Sequence, residues 1–235
     1  MGCSHCMVEA TPDGEHMSAQ TFIDAIDFSM KYDPYLILIS GGEPTSHPLF
    51  LTFLKHVKVY KDYGKIASVL VASNGMFLED EVYTKEILKL GIPFQITHDP
   101  RYYPHEIKKV EHDLLTYEDT LRLVSPIGRA VTNNIPAQRQ GPLCFNLRSL
   151  CKNHNSFNLA VGHLRSLVKM CTPSINVDGS VVAGEAPSCY KIGDIKSTNE
   201  ELTQNLNNMK CGKCGLYKNL EGRYAAQWNF LENGE

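Results

Sequence analysis

Between Met17 and about residue 130, short apolar runs of strand length alternate with longer stretches whose apolar side chains recur at helical spacing. That alternation constrains the chain most. A strand followed by a helix of this length returns to its sheet as a right-handed crossover and lays the next strand parallel to the first. Phe22, Ile23, Ile26 and Met30 share one face of a first helix, with Ser18 placed to cap it and Asp33-Pro34 to end it. Tyr35 to Ser40 reads as a fully buried strand. Leu49, Phe50, Phe53, Leu54 and Val57 mark a second helix, closed by Gly64. Ile66 to Ala72 is the next strand, Glu79 to Leu90 the next helix, and Pro93 to Thr97 the strand beyond it. Weaker strand patterns lie at Glu106 to Glu111 and Leu121 to Val124. The expected class is α/β with a parallel sheet, barrel-like or doubly wound, and in both forms chemistry gathers at the C-terminal ends of the strands.

A chain of 235 residues with 43% hydrophobic side chains can bury a sizeable core and accommodates one large domain, with room for a small appendage. Its net charge of −3 gives no basic excess for a nucleic-acid backbone or an anionic membrane. No apolar run nears the roughly 18 residues of a membrane span. The first residues show neither the basic nor the apolar region of an export signal, so the expected location is cytoplasmic and the cysteines are expected to be thiols. Met1-Gly2-Cys3 resembles a lipid-anchor start, but Cys6 stands where that pattern requires Ser or Thr.

Beyond Gly128-Arg129-Ala130 the composition shifts. Asn133 to Asn158 is rich in Asn, Gln, Arg and Ser and reads as a connecting region. Ser174 to Val182 alternates around Asp178-Gly179, the pair favoured in a two-residue hairpin turn, and a cysteine-rich tail follows. The organisation expected is a core over 1–132, a connection over 133–170 and a cysteine-rich extension over 171–235.

The eight cysteines are too few for a disulfide scaffold, and their clustering carries the information. Cys3-Ser4-His5-Cys6 opens the chain, and Cys211 and Cys214 form a second Cys-x-x-Cys. Two thiolates at this spacing can share one metal ion or one corner of a cluster, although incidental thiols and redox pairs share the pattern. Gly41-Gly42-Glu43-Pro44 follows directly on a strand, offering backbone open to close approach and one carboxylate at the strand tip. Ser73-Asn74-Gly75 ends the next strand in the same way. Alone, each of these is an ordinary turn. His98, Tyr102, Tyr103 and His105 follow the fourth strand, where a pocket would open. Cys144 and Cys151 read as buried thiols.

Taken together and in this order, CSHC, GGEP and SNG resemble the radical S-adenosylmethionine (SAM) superfamily. The resemblance covers about the first 130 residues. It implies a partial parallel (β/α) barrel of TIM type. It also implies a [4Fe-4S] cluster held by a C-x3-C-x2-C loop, and reductive cleavage of SAM to methionine and a 5′-deoxyadenosyl radical that abstracts a substrate hydrogen. By position, Cys3 and Cys6 correspond to the second and third cluster ligands, and His5 to the aromatic residue beside the adenine. Glu43 corresponds to the acidic residue on the SAM ammonium, with Gly41, Gly42 and Pro44 around it. Ser73, Asn74 and Thr97 correspond to residues lining the same cofactor, with Asp99 in support of Thr97. Arg129 corresponds to an arginine reaching the SAM carboxylate or the substrate.

The family's first cysteine would stand four residues before Cys3, where this sequence has only Met1 and Gly2. The expectation is either that the native reading frame begins upstream or that the chain is a degenerate, non-enzymatic relative acting as a binding protein. The tail resembles the twitch or SPASM extension, a small cysteine-rich segment with a β-hairpin. That likeness implies that Cys171, Cys189, Cys211 and Cys214 hold a second [4Fe-4S] cluster, with zinc as the alternative. The resemblance further implies an oxidoreductase of maturase type, a peptide or small-molecule substrate, and an electron donor of flavodoxin or ferredoxin type.

Overall fold

The computed structural model describes residues 3–103, 106–118, 124, 127–136, 155–164, 173–184 and 186–209. The chain divides into two compact units, residues 1–122 and 123–235.

In the first unit, helices α1 (Ala19–Met30), α2 (Phe50–Asp62) and α3 (Glu81–Leu88) alternate with strands β1 (Leu36–Ile39), β2 (Ser68–Ser73) and β3 (Phe94–Ile96), and strand β4 (Leu115–Tyr117) follows β3 with no helix between them among the described residues. The four strands form one sheet in the order β1-β2-β3-β4, every pair parallel. The alternation read from the sequence thus yields an α/β unit in which each crossover advances the sheet by one strand. Ser18 caps α1 as expected, its hydroxyl accepting from the Thr21 amide at 3.0 Å.

The core lies on one face of this sheet. Val69, Val71, Phe94, Ile96 and Leu115 project from the strands into Phe50, Phe53, Leu54 and Val57 of α2, Ile87 of α3, and Phe22 and Ile26 of α1. The rings of Phe22 and Phe53 stack at 4.0 Å, joining α1 to α2.

Two expectations need correction. Strand β1 is not fully buried: Ile37 and Ile39 pack on the core, whereas Leu36 and Leu38 remain 44% and 51% exposed. The cause is its edge position and the period of two, which sends alternate residues to the sheet face opposite the core. Residues Glu106 to Glu111 form no strand; the fourth strand is Leu115–Tyr117, paired through Phe94 with Leu115 and Ile96 with Tyr117. A three-residue strand is too short for alternation to announce it. The helix expected over about Glu79 to Leu90 is present as α3, which starts at Glu81 because Asp80 takes an extended conformation and caps it through the amides of Val82 and Tyr83; a 3-10 turn at Met76–Glu79 precedes it. The Leu121 to Val124 segment falls on residues of which only Val124 is described, and Val124 is not in a strand.

The second unit contains α4 (Arg129–Thr132), α5 (Phe157–Leu164), strands β5 (Ser174–Ile175), β6 (Ser180–Val182) and β7 (Lys191–Asp194), and α6 (Asn199–Asn207). Strands β5, β6 and β7 form an antiparallel sheet. The expected hairpin is present with a longer turn: Gly179 donates to the Asn176 carbonyl and Asn176 to the Ser180 carbonyl, enclosing Val177, Asp178 and Gly179. Only Gly179, at φ +81°, takes positive φ, which is the pattern of a turn closed by a glycine bulge. Thr198 and Glu201 form a reciprocal cap on α6, and Thr203 accepts the Phe157 amide at 2.8 Å to join α6 to α5. No helix among the described residues is long and apolar enough to cross a membrane.

Candidate functional site

The C-terminal tips of β1, β2 and β3 are tied together by side chains. Glu43 caps the 3-10 turn Pro44–Ser46, with Pro44 at its first position. Its Oε1 accepts the Thr45 amide at 3.1 Å, the Thr45 hydroxyl at 2.6 Å and the Ser73 hydroxyl at 2.8 Å. Its Oε2 accepts the Asn74 amide at 2.7 Å. An ionised carboxylate offers about four acceptor positions and no donor, so a site with only donors around it selects Glu rather than Gln. Ser73, almost fully buried, in turn receives Thr97: its carbonyl accepts the Thr97 amide at 2.7 Å and the Thr97 hydroxyl at 3.3 Å. Glu43, Ser73, Asn74 and Thr97, four of the residues singled out in the sequence, therefore form one connected group.

Glycine is required at two points here. Gly41 sits at φ +140° with open space where a Cβ would project. At Gly42 a Cβ would stand 2.8 Å from the Cβ of Ala10, closer than such atoms approach, so the segment leaving the cysteine turn rests directly on the strand tip.

The cysteine turn is closed by the Cys6 amide on the Cys3 carbonyl at 3.1 Å, and neither cysteine is in a disulfide. A loop from the tip of β3 holds it. The Ser4 amide donates to the Tyr102 carbonyl at 3.3 Å, and the His5 and Tyr102 rings lie 4.6 Å apart at 42°. His5, expected beside an adenine, thus lies against an aromatic ring of the chain itself. Asp99 organises this loop: its carbonyl accepts the Tyr102 and Tyr103 amides, and its carboxylate takes Nη2 of Arg101 at 2.6 Å and Nε at 2.9 Å. The Arg101 hydrogen bonds hold the Asp99 carboxyl below the usual carboxylate range, with the charge of His5 a minor contribution.

Tyr103 senses both the cysteine turn and the strand tip electrostatically. Burial, followed by the negative charges of Cys3 and Glu43, pushes its phenol up to about 12. Its ring stands edge-on to His98 at 5.2 Å. One buried phenol therefore feels both the first cysteine and the strand-tip carboxylate.

Other expected site residues belong to the second unit or lie outside the described residues. Arg129 opens α4 in the second unit. Cys189 is half-buried there, its amide on the Ala186 carbonyl at 2.8 Å. Cys171, Cys211 and Cys214 lie outside the described residues, as do His105, Cys144 and Cys151. Among the described residues, no group of three or more His, Cys, Asp or Glu side chains is placed to hold a metal ion. Sequence reading missed Thr45 and Ala10. The Glu-Pro-Thr order carried a usable signal for the first, since a capping acceptor before proline marks the start of a helical turn whose next amide needs a partner. Nothing in the sequence announces that Ala10 will touch Gly42.

The fold and these tips define an α/β protein with a four-stranded parallel sheet whose polar constellation sits at the C-terminal strand ends. Its structure is similar to the crystal structure of BtrN in complex with AdoMet and 2-DOIA, with a TM-score of 0.54 at 17% identity over 99% of this chain and 87% of that one. A structure of selenomethionyl BtrN in an open conformation aligns with a TM-score of 0.45 at 12% identity over 91% of this chain and 94% of that one. No protein-family model and no curated protein matches the sequence.

Proposed function

We propose that this chain is a radical SAM enzyme of partial-barrel architecture, which binds S-adenosylmethionine against the tips of β1, β2 and β3 beside a [4Fe-4S] cluster at Cys3 and Cys6. The observation that carries the reading is the joint placement of Glu43, Ser73, Asn74 and Thr97 in one hydrogen-bonded group, with the cysteine turn attached to the loop that leaves β3. The BtrN structure contains AdoMet, which supports the choice of cofactor.

The residues present fit SAM in kind. Glu43 spends one lone pair of Oε2 on Asn74, leaving the other for an ammonium, and Gly41 opens space for a ligand to approach the backbone. The turn supplies two thiolates of the three that the resemblance asks for, and the third is not among the described residues. A bound cluster would supply the electron that cleaves the carbon-sulfur bond of SAM. The chain's own tasks are then to fix the aminocarboxylate end of SAM at Glu43, to hold the sheet tips rigid through Ser73 and Thr97, and to present the buried, protonated Tyr103 as a wall beside the cysteine turn.

The same reading gives Cys171, Cys189, Cys211 and Cys214 to an auxiliary [4Fe-4S] cluster in a twitch or SPASM-like extension, or to zinc. It gives the enzyme a peptide or small-molecule substrate, a flavodoxin- or ferredoxin-type electron donor and a cytoplasmic setting.

Anaerobic reconstitution with iron and sulfide tests it. The expected result is about eight irons per full-length chain from two four-iron clusters, and 5′-deoxyadenosine on adding SAM and a low-potential reductant. The two-thiol turn favours one rival, a zinc-binding non-enzymatic relative. A preparation that takes up zinc alone and neither binds nor cleaves SAM would establish that rival instead.

A further inference from the structure

Resting on the reading above that Cys3 and Cys6 bind metal, we propose that Tyr102 is the positioning residue of the cysteine turn, setting from the tip of β3 the conformation in which the two thiols meet a thiophilic metal. Only Ser4 and His5 separate the two cysteines, and Tyr102 engages both. Its carbonyl accepts the Ser4 amide at 3.3 Å and its ring lies against the His5 ring at 4.6 Å.

Tyr102 is itself fixed from two sides. Its amide donates to the Asp99 carbonyl at 3.0 Å, and the Arg101 guanidinium stands 4.9 Å from its ring centroid. Arg101 is held in turn by the Asp99 carboxylate at 2.6 Å. The support therefore runs from the end of β3, through the Asp99 turn and the Arg101–Tyr102 stack, to both residues that space the thiols.

A Cys-x-x-Cys turn without such support must lose backbone and side-chain freedom when metal arrives, and that loss subtracts from affinity. A turn already ordered by a neighbouring shell avoids most of it, which is how supporting residues raise metal affinity without touching the ion. The ring contact is the part of this support that a substitution can remove, because the Tyr102 carbonyl survives every side-chain change.

Cd2+ titration of the full chain, read in the thiolate-to-metal charge-transfer absorption, tests the assignment without cluster assembly or turnover. The Cys3→Ser/Cys6→Ser double variant isolates the signal that belongs to this turn. Tyr102→Ala should weaken that component about three- to tenfold, the range expected for one lost aromatic pair. Tyr102→Phe, which keeps the ring, should stay within about twofold of wild type. Arg101→Ala, which leaves both rings in place but unclamps Tyr102, should fall between them and serves where Tyr102→Ala melts early.

Wild-type Cd2+ affinity in Tyr102→Ala, or a loss in Tyr102→Phe equal to that in Tyr102→Ala, would overturn the positioning role while leaving the metal-binding turn intact. A Cd2+ signal unchanged by Cys3→Ser/Cys6→Ser would overturn the metal reading of the turn itself, and this assignment with it.

Discussion

The Ser73 hydroxyl donates to Glu43 Oε1 at 2.8 Å across 30 positions of sequence, and this bond helps join the tips of two neighbouring parallel strands. Three further donors, the Thr45 amide and hydroxyl and the Asn74 amide, complete a carboxylate cage. Glu43 is therefore a structural keystone of the strand tips before it is a ligand to anything.

Glu43→Gln tests the cage. An amide brings one NH2 group into a ring of donors, so at least one N–H faces another N–H or O–H wherever the side chain is turned. The variant should lose about 1–3 kcal/mol of stability, the cost of a buried polar group left without its partner. The midpoint of denaturant unfolding reports it, and an unchanged midpoint would mean that the carboxylate is dispensable to the fold.

His47 carries a pH dependence. Its Nδ1 accepts the Leu49 amide at 3.0 Å, which fixes the proton on Nε2, where it is donated to the Met17 carbonyl at 3.0 Å. Burial lowers its pKa from the ordinary 6.5; the Met17 bond opposes this and the nearby His16 adds to it. With the folded value below the unfolded one, the unfolded chain binds the extra proton more readily, so stability is full above 6.5 and falls as the pH drops through 6.5 toward the lowered folded value. His47→Gln should flatten that part of the stability profile. Parallel wild-type and variant curves across this range would refute the assignment.

The β2 tip depends on one glycine. Gly75 sits at φ +83°, and a Cβ there would lie 2.9 Å from Ile96 Cγ2 and 3.1 Å from Ile107 Cδ1. Gly75→Ala should cost about 1–3 kcal/mol through backbone strain and overpacking. Gly64→Ala shares the positive φ but has open space, so it should cost less. Equal losses in thermal melts of the two variants would show that packing against Ile96 contributes nothing.

Much of this was legible in the sequence, for physical reasons. Helical spacing through Phe22, Ile26, Phe50, Phe53, Leu54 and Val57 predicts side chains that the core does bury, because a 3.6-residue period survives in any window of three turns. GGEP and SNG were readable as strand tips because Gly and Pro punctuate the chain where strands stop. What stayed hidden depends on distance in sequence. Strand Leu115–Tyr117 is specified by its partner Phe94–Ile96 rather than by its own pattern. The exposure of Leu36 and Leu38 follows from edge position, which composition does not encode. The aromatic residues after β3 were visible as a cluster, but their grip on Ser4 and His5 joins segments about a hundred residues apart, and no local rule reports such a contact.

The approach of Ala10 to Gly42 yields a prediction that separates a steric role from a chemical one. Gly42→Ala would place two Cβ atoms 2.8 Å apart, and neither belongs to a flexible side chain, so the backbone carrying Ala10 must move away from the strand tip. That backbone follows Cys6 by four residues, so the displacement loosens the turn that Tyr102 holds from the other side. SAM binding, measured by equilibrium dialysis on the reconstituted protein, should weaken about ten- to a hundredfold, the order of loss that displacement of a preorganised site brings. Ala10→Gly in the Gly42→Ala background removes the second Cβ and with it the collision, so affinity should return to near the wild-type value. If the double variant stays as weak as Gly42→Ala alone, the methyl at position 42 is obstructing the ligand directly, and the contact with Ala10 has no part in shaping the site.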